Sequence, residues 1–581
     1  MFKTSTYLRG IIFSSLIILL TSCEGGSSKS NGSTTSNNNS KSNDSTTNNN
    51  SSITNINAIS TKANDDFSKD QYAGLHFYYK HLPSSNYKLK QLNDDSFNTL
   101  TDSQKLLVAN KLLSTLFFGL PYKELQEKIN SGNFISSIKT GLNEDRTDKE
   151  LIEEYILNKD IFKQSDYNEQ VSIDILTRFY AMKELDSYFL KNWIAYILTQ
   201  TIMFSPAYEL ESSHTPNIAR VYNRIVTMLD VDSGMRYITY VHMMSEDNWR
   251  RFRSPEDNGR EMMEIFTLDM DDSHVPLAGQ ALKNWKLDRE SDTLLVSLNK
   301  NRKPIKLFGT TIYTGDDFYR EMAKSSQFAN GVVSRLVDFF FPNVQEDKKI
   351  QLTSSILESK PETWQDILLQ IIFSEEYLLN SSRAKSAEEL FFSLVKKIDF
   401  KHRTSTFHEL KNSLEDMHQA SMKYKLGKLE RVPLDTLSFA NYHKYIRKSI
   451  LTRKSKHKYK ADYEAWGRQG WSEKFIDDSH YVLNEDDGIA SLESFIQYLF
   501  NAIISRNAND EEMALFKSHM LKDKSKTDKT KVLNYVFNLI ETLEDTEEQK
   551  KRRETRKRSI ATIVLDYISR LAETYTHAKV K

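Results

Sequence analysis

Asp257, Glu261 and Glu264 fall at i, i+4 and i+7, and Arg260 stands three residues after the first and four before the last. On a helix, that spacing gathers three carboxylates and a guanidinium on one face. Two kinds of chemistry follow from such a set. Inside a cleft, a carboxylate pair beside an arginine can divide into acid and base, with burial and charge setting the protonation states. On a solvated face, the same groups form ion pairs, for which Arg is well suited. Arg250, Arg251 and Arg253 lie just upstream and could lock a loop onto that acidic face. Both readings stand on the sequence; the candidate catalytic residues of the first are Arg260, Glu261 and Glu264.

Other constellations are weaker. His242, Asp247, His274 and the run Asp269–Asp272 are close in sequence. Their spacing matches neither a His-Glu-x-x-His helix nor a calcium loop with its central Gly and terminal Glu. A solvated turn is the expectation for the run, with a loosely held calcium as the alternative, so no metal and no cofactor is assigned. The chain has no Gly-x-Ser-x-Gly elbow, Walker loop, dinucleotide fingerprint or Cys-x-x-Cys-His. Serine hydrolase, nucleotide hydrolase and Rossmann dehydrogenase therefore lose support, and covalent c-type haem is excluded. Two basic runs, Lys454–Lys460 and Lys550–Arg558, read as charged helical or loop surface, with anionic lipid as the alternative contact.

The elements that must position these residues read as helices. Ser254 before Pro255 is a helix start, because Ser caps and Pro at the first position loses no needed hydrogen bond. Glu256 and Asp257 then sit where the helix dipole favours negative charge. Helical spacing recurs over Leu106–Leu116, closed by Gly119-Leu120-Pro121, and over Tyr122–Ile129. It recurs again over Leu185–Tyr208 (with Trp193, Tyr196 and Phe204), Gly331–Phe341, Trp364–Leu379, Ala387–Ile398, Leu492–Ile504, Val532–Leu543 and Ser559–Tyr575. Only 18 glycines and 10 prolines in 581 residues also argue against a turn-rich β architecture. Thr293–Leu298 and Ile305–Phe308, around Lys303-Pro304, are the strand candidates. The fold class is all-α: a large multi-helix body with at most a small hairpin, preceded by a disordered tether.

The N-terminus gives an address. Lys3 and Arg9 precede an apolar stretch, Ile11–Leu20, that is shorter than the ~20 residues needed to span a bilayer core. It ends in Leu20-Thr21-Ser22-Cys23, and Cys23 is the only cysteine of the chain. This leader resembles a bacterial lipoprotein signal, whose terminal cysteine is lipidated and becomes the new N-terminus. From Glu24 to Lys62 the chain is almost wholly Ser, Asn, Thr and Gly, too polar to offset its own ordering entropy. A coil of that length reaches roughly 35 Å.

A second resemblance covers roughly residues 100–425. Ser254-Pro255-Glu256-Asp257-Asn258-Gly259-Arg260-Glu261-Met262-Met263-Glu264-Ile265-Phe266-Thr267-Leu268-Asp269 resembles the signature of DUF-1800, a bacterial domain family of unknown function. Leu112–Gly132, Ala281-Leu282-Lys283-Asn284-Trp285 and Lys306-Leu307-Phe308-Gly309 resemble further steps of the family, in its order. So do Phe373-Ser374-Glu375-Glu376-Tyr377 and Lys385-Ser386-Ala387-Glu388-Glu389-Leu390. Trp466–Trp471 is similar to its late Gly-Trp region. The chain departs from the pattern at Asp257, at Asn258 (where the family has an aromatic) and at Asp269, and its Phe-Trp-His-type segment is not recognisable near Ile202–Tyr208.

The expected organisation is a signal peptide over 1–22, a lipidated Cys23 and tether over 23–62, a helical body over 63–430 and a C-terminal helical region over 431–581. Lys+Arg and Asp+Glu are equal at 79 each, so charge does not point to nucleic acid as a partner. The expected partners are the membrane, through lipid on Cys23, and an envelope protein or polymer. The expected role is binding or assembly at the bacterial cell envelope. The alternative is an envelope hydrolase or redox enzyme using the carboxylate/Arg set on the Pro255–Leu268 helix.

Overall fold

The computed structural model describes residues 56–59, 86–145, 169–203, 218–250, 254–288, 293–297, 299–399, 436–447, 488–520 and 546–580, with a few isolated positions between. They belong to one compact unit, Asn55–Lys581, which includes residues on both sides of the boundary expected near 430. The leader, Cys23, Arg251, Arg253, Phe204, Lys454–Lys460 and Trp466–Trp471 lie outside the described residues.

The chain is all-α, as its periodicity predicts. In order, the longer helices are α1 (Asp102–Thr115), α2 (Tyr122–Asn130), α3 (Phe134–Gly141), α4 (Glu169–Ala181), α5 (Ser187–Gln200) and α6 (Ile218–Asp230). There follow α7 (Met235–Met243), α8 (Pro255–Thr267), α9 (Val275–Leu282), α10 (Gly315–Lys324), α11 (Ser326–Phe340) and α12 (Glu346–Glu358). The last are α13 (Trp364–Ile372), α14 (Ala387–Lys397), α15 (Thr436–Tyr445), α16 (Gly488–Ile504), α17 (Asp510–Met520) and α18 (Glu547–Ile568). Reciprocal capping boxes start several of them: Thr101 with Gln104, Thr314 with Asp317, Thr363 with Asp366, Ser386 with Glu389, and Thr546 with Gln549. Each satisfies backbone N–H groups that the helix itself leaves unpaired. The basic run Lys550–Arg558 falls within α18, where Glu548 pairs with Arg552 at 2.7 Å.

Strands are short: β1 (Ile56–Ile59), β2 (Lys286–Asp288), β3 (Thr293–Ser297), β4 (Ile305–Leu307), β5 (Thr310–Ile312), β6 (Arg383–Ala384) and β7 (Thr576–His577). Both strand segments expected around Lys303-Pro304 form, but each in its own sheet. β3 lies between β1 and β2, and β4 pairs with β5 through a turn with Gly309 at φ +69°. A two-residue connection favours such local pairing. β1 falls inside the segment whose composition suggests tether.

The core is aromatic. Phe117 stacks on Phe392 and meets Phe179 and Tyr196 edge to face, at centroid distances of 5.2–5.8 Å. Such pairs add about 0.5–1.5 kcal/mol each to simple burial. Trp193 is fully buried and its indole donates to the Thr115 carbonyl at 3.0 Å. Trp193 and Tyr196 are thus interior rather than part of a surface. Among the described residues, no helix is long and apolar enough to cross a membrane.

Candidate functional site

α8 carries the acidic face, and its start follows the sequence. Ser254 Oγ accepts from the Asp257 amide at 3.1 Å, with Pro255 in the first turn. Leu268 closes the helix in the left-handed region at φ 54°. From α11, Arg335 donates to the last-turn carbonyls of Glu264 (2.6 Å) and Ile265 (2.8 Å). Gly259 is needed where α9 crosses, since a β-carbon there would lie 2.5 Å from the Cβ of Ala278. Gly331 of α11 plays the same part, with the Phe266 carbonyl 2.3 Å from where its β-carbon would be.

Asn258 is fully buried and its Oδ1 accepts from the Tyr319 hydroxyl at 2.5 Å. Trp285 packs against both Tyr319 (5.4 Å) and Trp249 (6.0 Å). Tyr319, from α10, thus brings a ring to the first turn of α8. Burial raises the Tyr319 hydroxyl well above its ordinary range, so it stays a neutral donor.

The candidate residues come together around one guanidinium. Arg260 Nη2 lies 2.9 Å from Asp257 and 3.1 Å from Glu261, and Nη1 lies 3.3 Å from Glu264. The Asp257 hydrogen bond, then the charges of Glu261 and Glu264, hold Arg260 above its ordinary value. Side-chain exposure is 39% for Arg260 and 26%, 24% and 28% for its partners, so water screens the set. Arg250, one of the three upstream arginines, is buried at 6% exposure.

The acidic run forms a turn. Asp269 Oδ2 meets His274 Nδ1 at 2.7 Å, Asp269 Oδ1 accepts from the Asp271 amide, and Asp271 caps the 3-10 turn Asp272–His274. His242 and Asp247 are buried elsewhere, Asp247 against Arg224 at 2.9 Å. Among the described residues, no group of three His, Cys, Asp or Glu side chains is placed to hold a metal ion.

No family model, curated protein or solved structure matches this chain. Its chemistry must be read from its own side chains.

A second charge cluster, fully interior, has no counterpart among the sequence-predicted site residues. Arg383 and Glu389 pair through two hydrogen bonds, 2.8 and 2.5 Å, and Tyr377 accepts from Arg383 Nη2 at 2.9 Å and shares a hydrogen bond with Thr115 at 2.6 Å. His577, from the far end of the chain, brings Nε2 to 3.4 Å from Glu389 Oε1, a contact rather than a well-directed hydrogen bond. Lys111 Nζ donates to the Ser381 carbonyl at 2.7 Å, and Lys385 Nζ to that of Thr574 at 3.0 Å.

Burial alone would push Glu389 up, but Arg383 and His577 outweigh it and hold the carboxyl far below its usual range. Burial, then the charge of Arg383, lowers His577 to about 3 and Lys111 to about 7. Arg383, Tyr377, Glu389 and His577 are each at most 5% exposed, so the cluster offers no face to a substrate. It fastens β7 to β6 and to the start of α14. One half of it was legible: Ser386-Ala387-Glu388-Glu389 is a capping-box pattern. Nothing in the sequence marks His577 as its partner.

Proposed function

We propose that the chain is a lipid-anchored protein of the bacterial cell envelope, with a DUF-1800-like helical body that binds or assembles with an envelope protein or polymer. The observation that carries this reading is the leader: Lys3 and Arg9, the short apolar run, and the sole cysteine at position 23, followed by a Ser/Asn-rich tether. The lipid on Cys23 would hold the body at the membrane while the tether lets it stand off the surface.

The state of the Arg260 set favours binding over catalysis. Asp257, Glu261 and Glu264 are all engaged by one half-exposed guanidinium, the arrangement of a solvated ion-pair face. An envelope hydrolase or redox enzyme centred on Arg260, Glu261 and Glu264 draws no support from that geometry.

Metabolic labelling with an alkyne fatty acid tests the anchor. The wild-type chain should take up label and sediment with membranes, and Cys23→Ala should do neither. An unlabelled wild-type protein in the soluble fraction would end this reading. Crosslinking in intact cells then tests the partner, and recovery of the chain alone would count against a binding role.

A further inference from the structure

A groove of about 580 Å³ opens between the α1–α2 connection, the end of α4 and the end of α14. Its walls are apolar where Phe118, Leu120, Met182 and Val395 line it, and Lys396 lies among them. Lys396 Nζ donates to the Met182 carbonyl at 2.7 Å and sits 4.2 Å from the centre of the Phe118 ring. Both neighbours line the groove, so the amine itself is at its wall.

The charged groups around it are on the rim. Lys123, Glu124 and Glu127 of α2 are exposed, as is Lys183, while Asp399 is half-buried beyond the end of α14. The phenols of Tyr180 and Tyr498 complete the titratable lining. The adjacent Lys397 turns away and donates to the Ile503 carbonyl at 2.9 Å. Among the described contacts, Lys396 has no carboxylate pair; burial alone lowers its amine to about 7. Lys396 is half-buried at the groove wall, and a lysine partly withdrawn from water in this way is suited to act as a nucleophile near neutral pH, the property used by Schiff-base lysines.

We propose that this groove is a site for aldehydes with an apolar or aromatic body, and that Lys396 Nζ captures their carbonyl carbon as an imine. The bond to Met182 uses one N–H and leaves the lone pair free. That lone pair attacks the carbonyl carbon, and the C=O π electrons move to oxygen. Two protons pass from nitrogen to oxygen, the C–O bond breaks, and water leaves as the C=N bond forms. Phe118 supplies the surface on which an aromatic body would pack. This site is separate from the Arg260 set and does not depend on the role proposed for the chain.

Reductive trapping tests it on the full wild-type chain. Benzaldehyde and sodium cyanoborohydride are added between about pH 6 and 9, where hydride adds to the imine carbon and fixes a benzyl group on nitrogen; peptide mapping then gives the rate at each lysine. Lys396 should be labelled at least about tenfold faster than the rim lysines Lys123 and Lys183 at pH 7, with a rate profile that inflects near the value set by burial. Labelling no faster than the rim lysines, or only after unfolding, overturns the proposal. In Lys396→Met the fast adduct should vanish while the helical signal remains. A fast adduct that persists elsewhere in the groove also overturns the assignment.

Discussion

Arg383 and Glu389 face each other fork to fork in an interior where each side chain is only 5% exposed. Glu389 also accepts from the Ser386 amide at 2.7 Å, so one carboxylate both caps α14 and neutralises the arginine. Removing either partner leaves an uncompensated buried charge. Glu389→Ala should therefore cost about 3–5 kcal/mol, while Arg383→Met/Glu389→Leu together should recover a large part of that loss. Urea midpoints at unchanged slope make the comparison. A loss in Glu389→Ala as small as that of an exposed ion pair would show the cluster to be wet.

His577 ties stability to pH. Its folded value lies near 3, below the ordinary 6.5, so between those values the unfolded chain binds a proton that the folded one refuses. Its contribution is complete above about pH 6.5 and is lost as the pH falls toward 3. Glu389 is also depressed, and its contribution is lost only lower, as the pH falls through the ordinary carboxylate range and below it. The melting temperature should thus fall between about pH 6.5 and 5, and His577→Leu should flatten that limb. Equal slopes in the two proteins would remove His577 as the cause.

Tyr319→Phe probes the buried turn of α8. Asn258 Oδ1 would lose its donor, and its Nδ2 already lacks a hydrogen-bond partner among the described residues. A buried polar group left unpaired costs about 1–3 kcal/mol, well above the effect of deleting one exposed hydroxyl. Replacing Asn258 with Leu in the same background should restore part of the loss, because both polar partners are then gone. If Tyr319→Phe alone is neutral, the hydrogen bond does not hold this turn.

Local rules made most of the fold legible. Ser254-Pro255 predicts the start of α8, and the apolar spacing of Leu106–Leu116 and Ala387–Ile398 predicts α1 and α14 to within a few residues, because each signal is contained in one or two turns. What failed was long-range. The pairing of Thr293–Ser297 with Ile56–Ile59, far upstream in the chain, and of Arg383 with His577 across most of the C-terminal half, depends on where the chain returns, which no local pattern encodes. The same limit applied to the rings: Trp193 and Tyr196 mark an apolar face, but only the arrival of Phe117 and Phe179 makes it interior. At the candidate site, the i, i+4, i+7 spacing correctly placed Asp257, Glu261 and Glu264 around Arg260, while their exposure was set by neighbours the sequence does not name.

The α8 segment should accordingly respond to packing far more than to charge. Arg260→Ala removes three ion pairs, but all are partly solvated, and the loss should stay within about 1 kcal/mol. Gly259→Val forces a branched side chain against Ala278, where even a single carbon would lie 2.5 Å from its Cβ. Overpacking of that kind costs about 1–3 kcal/mol or more, and here α9 cannot yield without moving Trp285 and the strands that follow it. Thermal unfolding of the two variants side by side decides the matter. A large loss in Arg260→Ala with a small one in Gly259→Val would mean that the carboxylate/Arg face, rather than the helix crossing, is what this segment is built to maintain.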